Sequence, residues 1–216
     1  MEFERGTPSK IVCVGRNYVE HARELGNEVP KAPLLFLKAP SALIGPEEPI
    51  VLPPQSAQVE HEAEIGVVIG RRLSRASPEE AEKGIEGFVC LNDVTARDLQ
   101  RTDGQWTRAK GFDTFCPVGP HVARGLNWKE LTVVGRVNGQ ERQRGKAADM
   151  VFPIPALLSY ISGIMTLLPG DLVATGTPAG VGPLVPGDIV EVEVSGVGVL
   201  RNPVRAGNGR AGAPAS

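Results

Sequence analysis

The stretch at residues 59–65 places three acidic side chains immediately before an apolar run at residues 66–70. The β-branched residues of that run predict a strand. On a strand, side chains two positions apart share a face, so Glu62 and Glu64 would point the same way with Cα atoms about 6–7 Å apart. Two carboxylates leading into an apolar strand repel each other and lose solvation, so a bound cation is the expected partner. A half-solvated strand with a charged outer face is the alternative.

A third acidic residue favours a bound cation over a half-solvated strand. Asp93 follows another apolar run, residues 87–91, and a carboxylate at the end of a buried strand needs a partner. Carboxylates are hard oxygen donors, which select Mg²⁺ or Mn²⁺ over zinc, with Ca²⁺ also possible. The three histidines, at positions 21, 61 and 121, are too scattered in the sequence to suggest a histidine-rich site.

Length and charge limit the function classes. A chain of 216 residues with 41% hydrophobic content predicts one domain, residues 1–206, and a disordered tail at residues 207–216. The net charge of −2 gives no basic surface for nucleic acid, and no apolar run is long enough to suggest a membrane span. Because residues 1–5 lack the apolar core of a signal peptide, we expect a cytoplasmic protein.

Glycine and proline favour strands over a helical bundle. The chain has 26 glycines and 19 prolines but only 5% aromatic residues, a balance typical of short strands joined by tight turns. We therefore expect a β-rich α+β fold. Its clearest local signals are a hairpin turn at Asn138-Gly139, a helix starting after Ser77, and a helix from Pro155 to Leu168. Lys38, after the apolar strand at residues 34–37, is interpreted as a strand-end charge, with an anion contact as the alternative.

A histidine and a glutamate share a face of a predicted short helix at residues 19–25. His21 and Glu24 are three positions apart, which makes them neighbours on a helix. A carboxylate beside an imidazole fixes its tautomer and raises its basicity, as a general base requires. A solvated surface pair is the alternative for any histidine and glutamate at this spacing.

Two irregular segments carry further candidates. Residues 105–117 have no clean period and predict a loop, in which Lys110 could meet a substrate carboxylate or be an ordinary surface lysine. The glycine-rich residues 175–182 let backbone approach a ligand, but they lack the Gly-Lys-Ser/Thr ending of a phosphate-binding loop.

Five motifs in one order carry a family resemblance. Residues 12–18, 61–64 and 93–98, Lys110, and residues 175–182 together closely resemble the fumarylacetoacetate hydrolase family. The resemblance is to its small single-domain branch of acylpyruvate hydrolases and oxaloacetate decarboxylase-like proteins, and it spans roughly residues 10 to 205. It implies a mixed β-roll or sandwich, usually in a homodimer. We expect this protein to lack the extra N-terminal domain of larger members, so fumarylacetoacetate itself is not the expected substrate.

The resemblance also implies roles for nine residues. It implies a dyad that activates water, on a helix acting as a lid, three metal ligands for Mg²⁺ or Mn²⁺, and substrate contacts. The dyad is His21 and Glu24, the ligands are Glu62, Glu64 and Asp93, and the substrate contacts are Arg16, Gln100 and Thr177, together with Lys110, which we group with the catalytic residues.

The expected reaction is hydrolysis of acylpyruvates, which are 2,4-diketo acids, to pyruvate and a carboxylic acid. A 2-oxo acid can chelate a divalent ion, which stabilises the enolate formed when the neighbouring C–C bond breaks. Oxaloacetate decarboxylation and hydroxymuconate-type isomerisation, acting on 2-hydroxyhepta-2,4-diene-1,7-dioate, use the same enolate and remain alternatives. Outside enzymes, a β-domain with a structural calcium site and a ligand-binding β-module remain open. The pair His21 and Glu24 argues against both, since a structural metal site has no use for a base.

Overall fold

Three β-sheets form the framework of the computed structural model, which describes residues 7–207. The predicted disordered tail lies outside the described residues apart from Gly207. The strands are β1 (Ile11–Gly15), β2 (Leu34–Lys38), β3 (Leu43–Ile44), β4 (Ile50–Leu52), β5 (Val59–His61), β6 (Ala63–Ile69), β7 (Ile85–Asn92), β8 (Thr95–Ala96), β9 (Cys116–Ala123), β10 (Thr132–Val137), β11 (Gln140–Lys146), β12 (Leu172–Ala174), β13 (Gly182–Pro183), β14 (Ile189–Val194) and β15 (Gly198–Ala206).

The described part of the chain also forms five short α-helices, which lie between the strands. They are α1 (Val19–Glu24), α2 (Pro78–Glu82), α3 (Arg97–Asp103), α4 (Thr107–Lys110) and α5 (Ile154–Ile164). The β-rich α+β class and the mixed β-roll are confirmed. Within residues 7–207, every helix is too short or too polar to cross a bilayer.

The largest sheet has the strand order β2-β1-β12-β6-β7-β9-β3 and contains parallel and antiparallel pairs. Its central strand β6 is buried on both faces, as its apolar run predicts. Ile65 and Val67 belong to the larger apolar core, whereas Val68 belongs to a second, smaller cluster on the opposite face. Because side chains alternate along a strand, Glu64 shares the face of Val68.

A second sheet, in the order β11-β10-β14-β15-β4, covers the larger core together with α5. Val133, Val192 and Leu200 from this sheet and Leu157 from α5 lie in the same apolar cluster as Ile65. The helix predicted to reach Leu168 ends at Ile164, so its predicted end was wrong. Its end is set by tertiary pairing, because Leu167 leaves the helical path to bridge with Leu73.

The turn between β10 and β11 is the predicted Asn-Gly hairpin. Asn138 and Gly139 have φ angles of 53° and 75°, the positive values that a type I′ turn requires. Of the seven residues of β11, Gln143 alone is buried. The predicted start of α2 is also confirmed, with Ser77 and Glu80 forming a capping box.

A third sheet, in the order β13-β5-β8, brings the acidic segment beside the chain that follows Asp93. Val59 and Glu60 pair with Ala96 and Thr95. Residues 105–117, predicted as a loop, include the single helical turn α4, which ends at Lys110. The loop prediction was therefore wrong over the four residues of α4, and also at Cys116 and Pro117, where β9 begins.

Candidate active site

Three buried carboxylates meet where β5, β6 and β7 come together. One carboxylate oxygen from each of Glu62, Glu64 and Asp93 lies within 4.8 Å of the other two. Ala63 pairs with Asn92 in the antiparallel ladder of β6 and β7, and the Asp93 amide donates to the Glu62 carbonyl at 2.9 Å. Strand pairing thus brings together acids that are about 30 positions apart in the sequence.

The acidic segment is not one continuous strand, contrary to the sequence prediction. Glu62 occupies a break between β5 and β6. Side chains replace the missing ladder bonds at this break, because the Glu62 amide donates to Asn92 Oδ1 and the Ala63 amide donates to Gln143 Oε1, each at 2.9 Å. The break nevertheless leaves the Glu62 and Glu64 side chains close together, as predicted.

Three cations surround two of the three acids. Lys110 Nζ lies 2.7 Å from both Glu62 Oε2 and Asp93 Oδ2. Lys38 Nζ lies 2.7 Å from Asp93 Oδ1, and one Arg97 nitrogen lies 2.6 Å from Glu62 Oε1. Interpreting Lys38 as a strand-end charge was wrong. Its side chain is fully buried because β2 turns it inward towards Asp93.

Glu64 has a different environment. Its Oε2 accepts the Gly176 amide at 2.7 Å, and among the described residues no lysine or arginine forms a salt bridge with it. Burial, together with Asp93 and Glu62, raises the pKa of Glu64 well above its usual value. Burial would raise the pKa of Glu62 as well, but Lys110 and Arg97 lower it below its ordinary value. In the absence of a bound cation, Glu64 therefore holds a proton more tightly than Glu62 does.

The donor set fits a hard divalent cation. Three carboxylates offer oxygen ligands only, and each carboxylate oxygen has more than one lone pair, so a salt bridge does not exhaust it. Glu64, buried without a cationic partner among the described residues, is the group that a divalent ion would satisfy most directly. The cluster of three buried carboxylates is therefore compatible with the use of a divalent metal ion.

The predicted dyad lies beside the acids, on α1. His21 is buried and lines the same cavity as the three acids. Its Nδ1 lies 3.3 Å from Glu24 Oε2, which leaves Nε2 as the ring nitrogen free for proton transfer. Glu24 is held in turn by the Gly180 amide, 3.0 Å from its Oε1. The glycine-rich segment therefore contacts the dyad as well as Glu64.

The structure brings the predicted substrate contacts to the same cavity, although some of their polar atoms are already engaged. Gln100 Oε1 accepts from Arg97 at 2.6 Å. The Thr177 hydroxyl donates to the Ala63 carbonyl at 2.9 Å. Arg16, with φ at 59°, lies over the Trp106 ring. Of the nine predicted site residues, eight line this cavity: Arg16, His21, Glu62, Glu64, Asp93, Gln100, Lys110 and Thr177. The ninth residue, Glu24, contacts His21 rather than the cavity itself.

A wider cavity continues outward from the acidic one. The two share Arg16, Phe36 and Trp106, and the rings of Phe36 and Trp106 pack edge to face at 5.2 Å between centroids. Leu34 and Gln105 line only the outer part. The cavity lining therefore changes from carboxylates at its inner end to aromatic, apolar and basic side chains at its mouth.

Sequence reasoning missed four residues at this site: Lys38, Arg97, Trp106 and Gln143. A lysine closing an apolar strand was the available signal for Lys38, and an arginine four positions after Asp93 was the signal for Arg97. Gln143 had none, because an edge-strand glutamine next to arginines is typical of a solvent-exposed position.

The fold and the acidic cavity define the class of protein, a β-roll domain built around buried carboxylates. Residues 10–205 match the family model described as fumarylacetoacetate (FAA) hydrolase C-terminal. The chain belongs to the fumarylacetoacetate hydrolase family, and the family inferred from the motifs is confirmed.

Similar proteins and solved structures support this family assignment. An uncharacterized protein of Pyrococcus abyssi is 52% identical over 205 residues, which cover 92% of this chain and 91% of that protein. The mitochondrial oxaloacetate tautomerase FAHD2A of Bos taurus is 42% identical, over 91% of this chain and 67% of that protein. The crystal structure of 5-carboxymethyl-2-hydroxymuconate delta-isomerase from Mycobacterium smegmatis has a TM-score of 0.88 and 46% identity, covering 94% of this chain and 81% of that one.

Proposed function

We propose that this chain is a metal-dependent enzyme that binds a 2-oxo acid and moves a proton at the carbon next to the keto group. The observation that carries the proposal is the position of His21, a buried imidazole that lines the same cavity as the three carboxylates. A structural calcium site, the non-enzyme alternative, would give no role to that imidazole.

Glu62, Glu64 and Asp93 would hold Mg²⁺ or Mn²⁺, with Ca²⁺ as a further candidate. When bound, such an ion withdraws electrons from the keto and carboxylate oxygens of a 2-oxo acid and so makes the neighbouring C–H or C–C bond easier to break.

The proton is moved by the dyad. His21 Nε2 takes the proton from the carbon next to the keto group and returns it to another position of the same substrate. Glu24, held by the Gly180 amide, fixes the imidazole orientation and stabilises its protonated form. Lys110 is the charged group that balances the negative charge gathering on the substrate oxygen, and Arg16 provides a second cation towards the mouth of the cavity.

Proton transfer is our first candidate because it is common to two named relatives, one called an oxaloacetate tautomerase and one a hydroxymuconate delta-isomerase. The outer cavity supports substrates longer than oxaloacetate, because Phe36, Trp106 and Leu34 extend the lining beyond the acids.

Acylpyruvate hydrolysis is the second candidate, and the His21–Glu24 pair favours it. The same dyad can take a proton from water instead of carbon, and the resulting hydroxide adds to the distal carbonyl. The C–C bond between that carbonyl carbon and the pyruvate CH₂ then breaks, and His21 returns the proton to the departing pyruvate carbon, which gives pyruvate and a carboxylic acid. Oxaloacetate decarboxylation needs neither the attacking water nor a base. We further propose a cytoplasmic homodimer.

A substrate panel tests the proposal. The purified protein with Mg²⁺ or Mn²⁺ is given oxaloacetate, acetylpyruvate and a hydroxymuconate-type diacid in D₂O, and products are followed by NMR. Enol–keto exchange or double-bond migration supports the first candidate, whereas acetate and pyruvate from acetylpyruvate support the second.

Two histidine variants form a matched pair for this assay. His21→Ala should lose proton transfer, because it removes the imidazole beside the acids, and His121→Ala should keep it, because that side chain is exposed on β9. No metal-dependent reaction with any substrate of the panel would reject the proposed function.

A further inference from the structure

We propose that Gln143, on the edge strand β11, is a positioning residue that joins the acidic segment to the glycine-rich loop and so sets the geometry of the site. This inference rests on the proposed function, since it concerns the same cavity. Gln143 does not line the cavity among the described residues, so any effect on chemistry must pass through its neighbours.

The Gln143 amide uses its whole hydrogen-bonding capacity inside the protein. Its Oε1 accepts from the Ala63 amide and from His61 Nδ1, each at 2.9 Å. Its Nε2 donates to Thr177 Oγ1 and to the Pro178 carbonyl, each at 2.7 Å. Two acceptor and two donor contacts satisfy the amide completely at a position that is 1% exposed.

These contacts fix which end of the amide faces which segment. The Ala63 N–H can only donate and the Pro178 carbonyl can only accept, so the oxygen must face β6 and the nitrogen must face the loop. His61 then has to carry its hydrogen on Nδ1 in order to donate to the same oxygen. The contact with Gln143 therefore places a hydrogen on Nδ1 of His61.

The two segments that Gln143 joins are the ones that hold the site residues. Ala63 lies between Glu62 and Glu64. The loop supplies the Gly176 amide to Glu64 at 2.7 Å and the Gly180 amide to Glu24 at 3.0 Å. A shift of the loop relative to β6 would therefore move one acid and the dyad carboxylate together.

Close backbone packing adds to this connection. A Cβ built on Gly180 would lie 1.9 Å from the Arg142 carbonyl, next to Gln143, so the loop rests directly on the backbone of β11. The pairing of β10 with β11 shifts by one residue between the pairs Arg136–Glu141 and Gly135–Gln143, and this bulge at Arg142 places Gln143 opposite Gly135, where it is buried.

Two substitutions separate the halves of the network. Gln143→Met has a similar shape and removes all four hydrogen bonds. Gln143→Glu keeps both acceptor contacts, but its second oxygen faces the Pro178 carbonyl, which cannot donate, so that loop contact is lost. The Thr177 hydroxyl can donate to the new oxygen only by giving up its bond to the Ala63 carbonyl. Gln140→Met is the control, because Gln140 is exposed on the same strand.

Three readouts are taken on each folded protein: Mn²⁺ affinity by calorimetry, kcat and KM for the substrate that the wild-type protein turns over, and ¹⁵N spectra of the imidazole nitrogens. The chain has three histidines, so the spectra can be assigned fully. Loss of support behind metal ligands typically lowers affinity or activity by about 10- to 100-fold.

We expect Gln143→Met to lose Mn²⁺ affinity and kcat by about tenfold or more, with the His61 Nδ1–H signature lost. Gln143→Glu should keep that signature and lose less affinity, and Gln140→Met should match wild type. Wild-type Mn²⁺ affinity and kcat in folded Gln143→Met would overturn the inference. If Gln143→Met fails to fold, wild-type Mn²⁺ affinity and kcat in Gln143→Glu would overturn it instead. A wild-type protein that binds Mn²⁺ but turns over no substrate would defeat the proposed function alone, because affinities and spectra would still test Gln143.

Discussion

The buried ammonium of Lys110 should stabilise the fold strongly in the absence of a divalent ion. Lys110 is 1% exposed and contacts Glu62 and Asp93 at 2.7 Å each. Removing one partner of a buried ion pair costs about 3–5 kcal/mol. Glu62 keeps Arg97 and Asp93 keeps Lys38, so we expect Lys110→Met to cost about 3 kcal/mol, the lower end of that range. For a chain of this size the corresponding fall in Tm is about 6–12 °C.

The loss should depend on pH. Burial alone would raise the folded-state pKa of Glu62, but Lys110 and Arg97 outweigh burial and hold this pKa below its usual value of 4.5. A lowered carboxylate pKa adds stability above the unfolded-state value, and that stability is lost as the pH falls towards the folded-state value. The difference between wild type and Lys110→Met should therefore be full at pH 7 and shrink below about pH 4.5.

Urea denaturation of the metal-free proteins at pH 7 and at pH 4 measures both effects. Lys146→Met is the control, because Lys146 is exposed at the end of β11. Saturating Mn²⁺ should stabilise Lys110→Met at least as much as wild type, since the variant has one fewer cation beside the same acids. A loss under about 1 kcal/mol at pH 7, or the same loss at both pH values, would refute the reasoning.

Three further outcomes test the site. Glu64→Gln should lose Mn²⁺ affinity by about tenfold or more while the metal-free protein keeps or gains stability, because it removes a buried acid that forms no salt bridge with any lysine or arginine of residues 7–207; calorimetry and urea denaturation measure the two effects. His21→Ala should abolish acylpyruvate hydrolysis while affecting oxaloacetate decarboxylation less, and equal loss of both, measured as pyruvate and CO₂ release, would contradict the role given to the dyad. Gly15→Ala should raise KM for the longer substrates more than for oxaloacetate, because its new Cβ would lie 2.9 Å from the Trp106 ring; unchanged KM values for all substrates would argue against Trp106 as part of the cavity wall.

The elements that the sequence predicted well are those set by local chemistry. The Asn138-Gly139 turn needs only two residues that tolerate positive φ, and the start of α2 needs only Ser77 and its capping partner. The site acids were also predictable, since an acid beside an apolar run signals an unusual environment wherever the strand lies.

The elements that it predicted poorly depend on partners distant in sequence. The end of α5 is set by the bridge between Leu73 and Leu167, which no helical period reveals. Lys38 is buried because Asp93 lies 55 positions away in sequence and 2.7 Å away in space. Gln143 gave no signal, because the groups that it binds come from β5, β6 and the glycine-rich loop. The roles of the nine site residues remain predictions for the experiments above.

The salt bridges around the acids have a consequence for what the cavity can admit. Glu60, Glu62 and Asp93 are matched by Arg97, Lys110 and Lys38, so this group of six is electrically neutral before any ligand arrives. In a medium of low polarity a single unbalanced charge is strongly disfavoured. A dication bound to the Glu64 carboxylate as well would leave these groups with one net positive charge, which an anionic substrate arriving with the ion would offset. Each should therefore bind more tightly in the presence of the other.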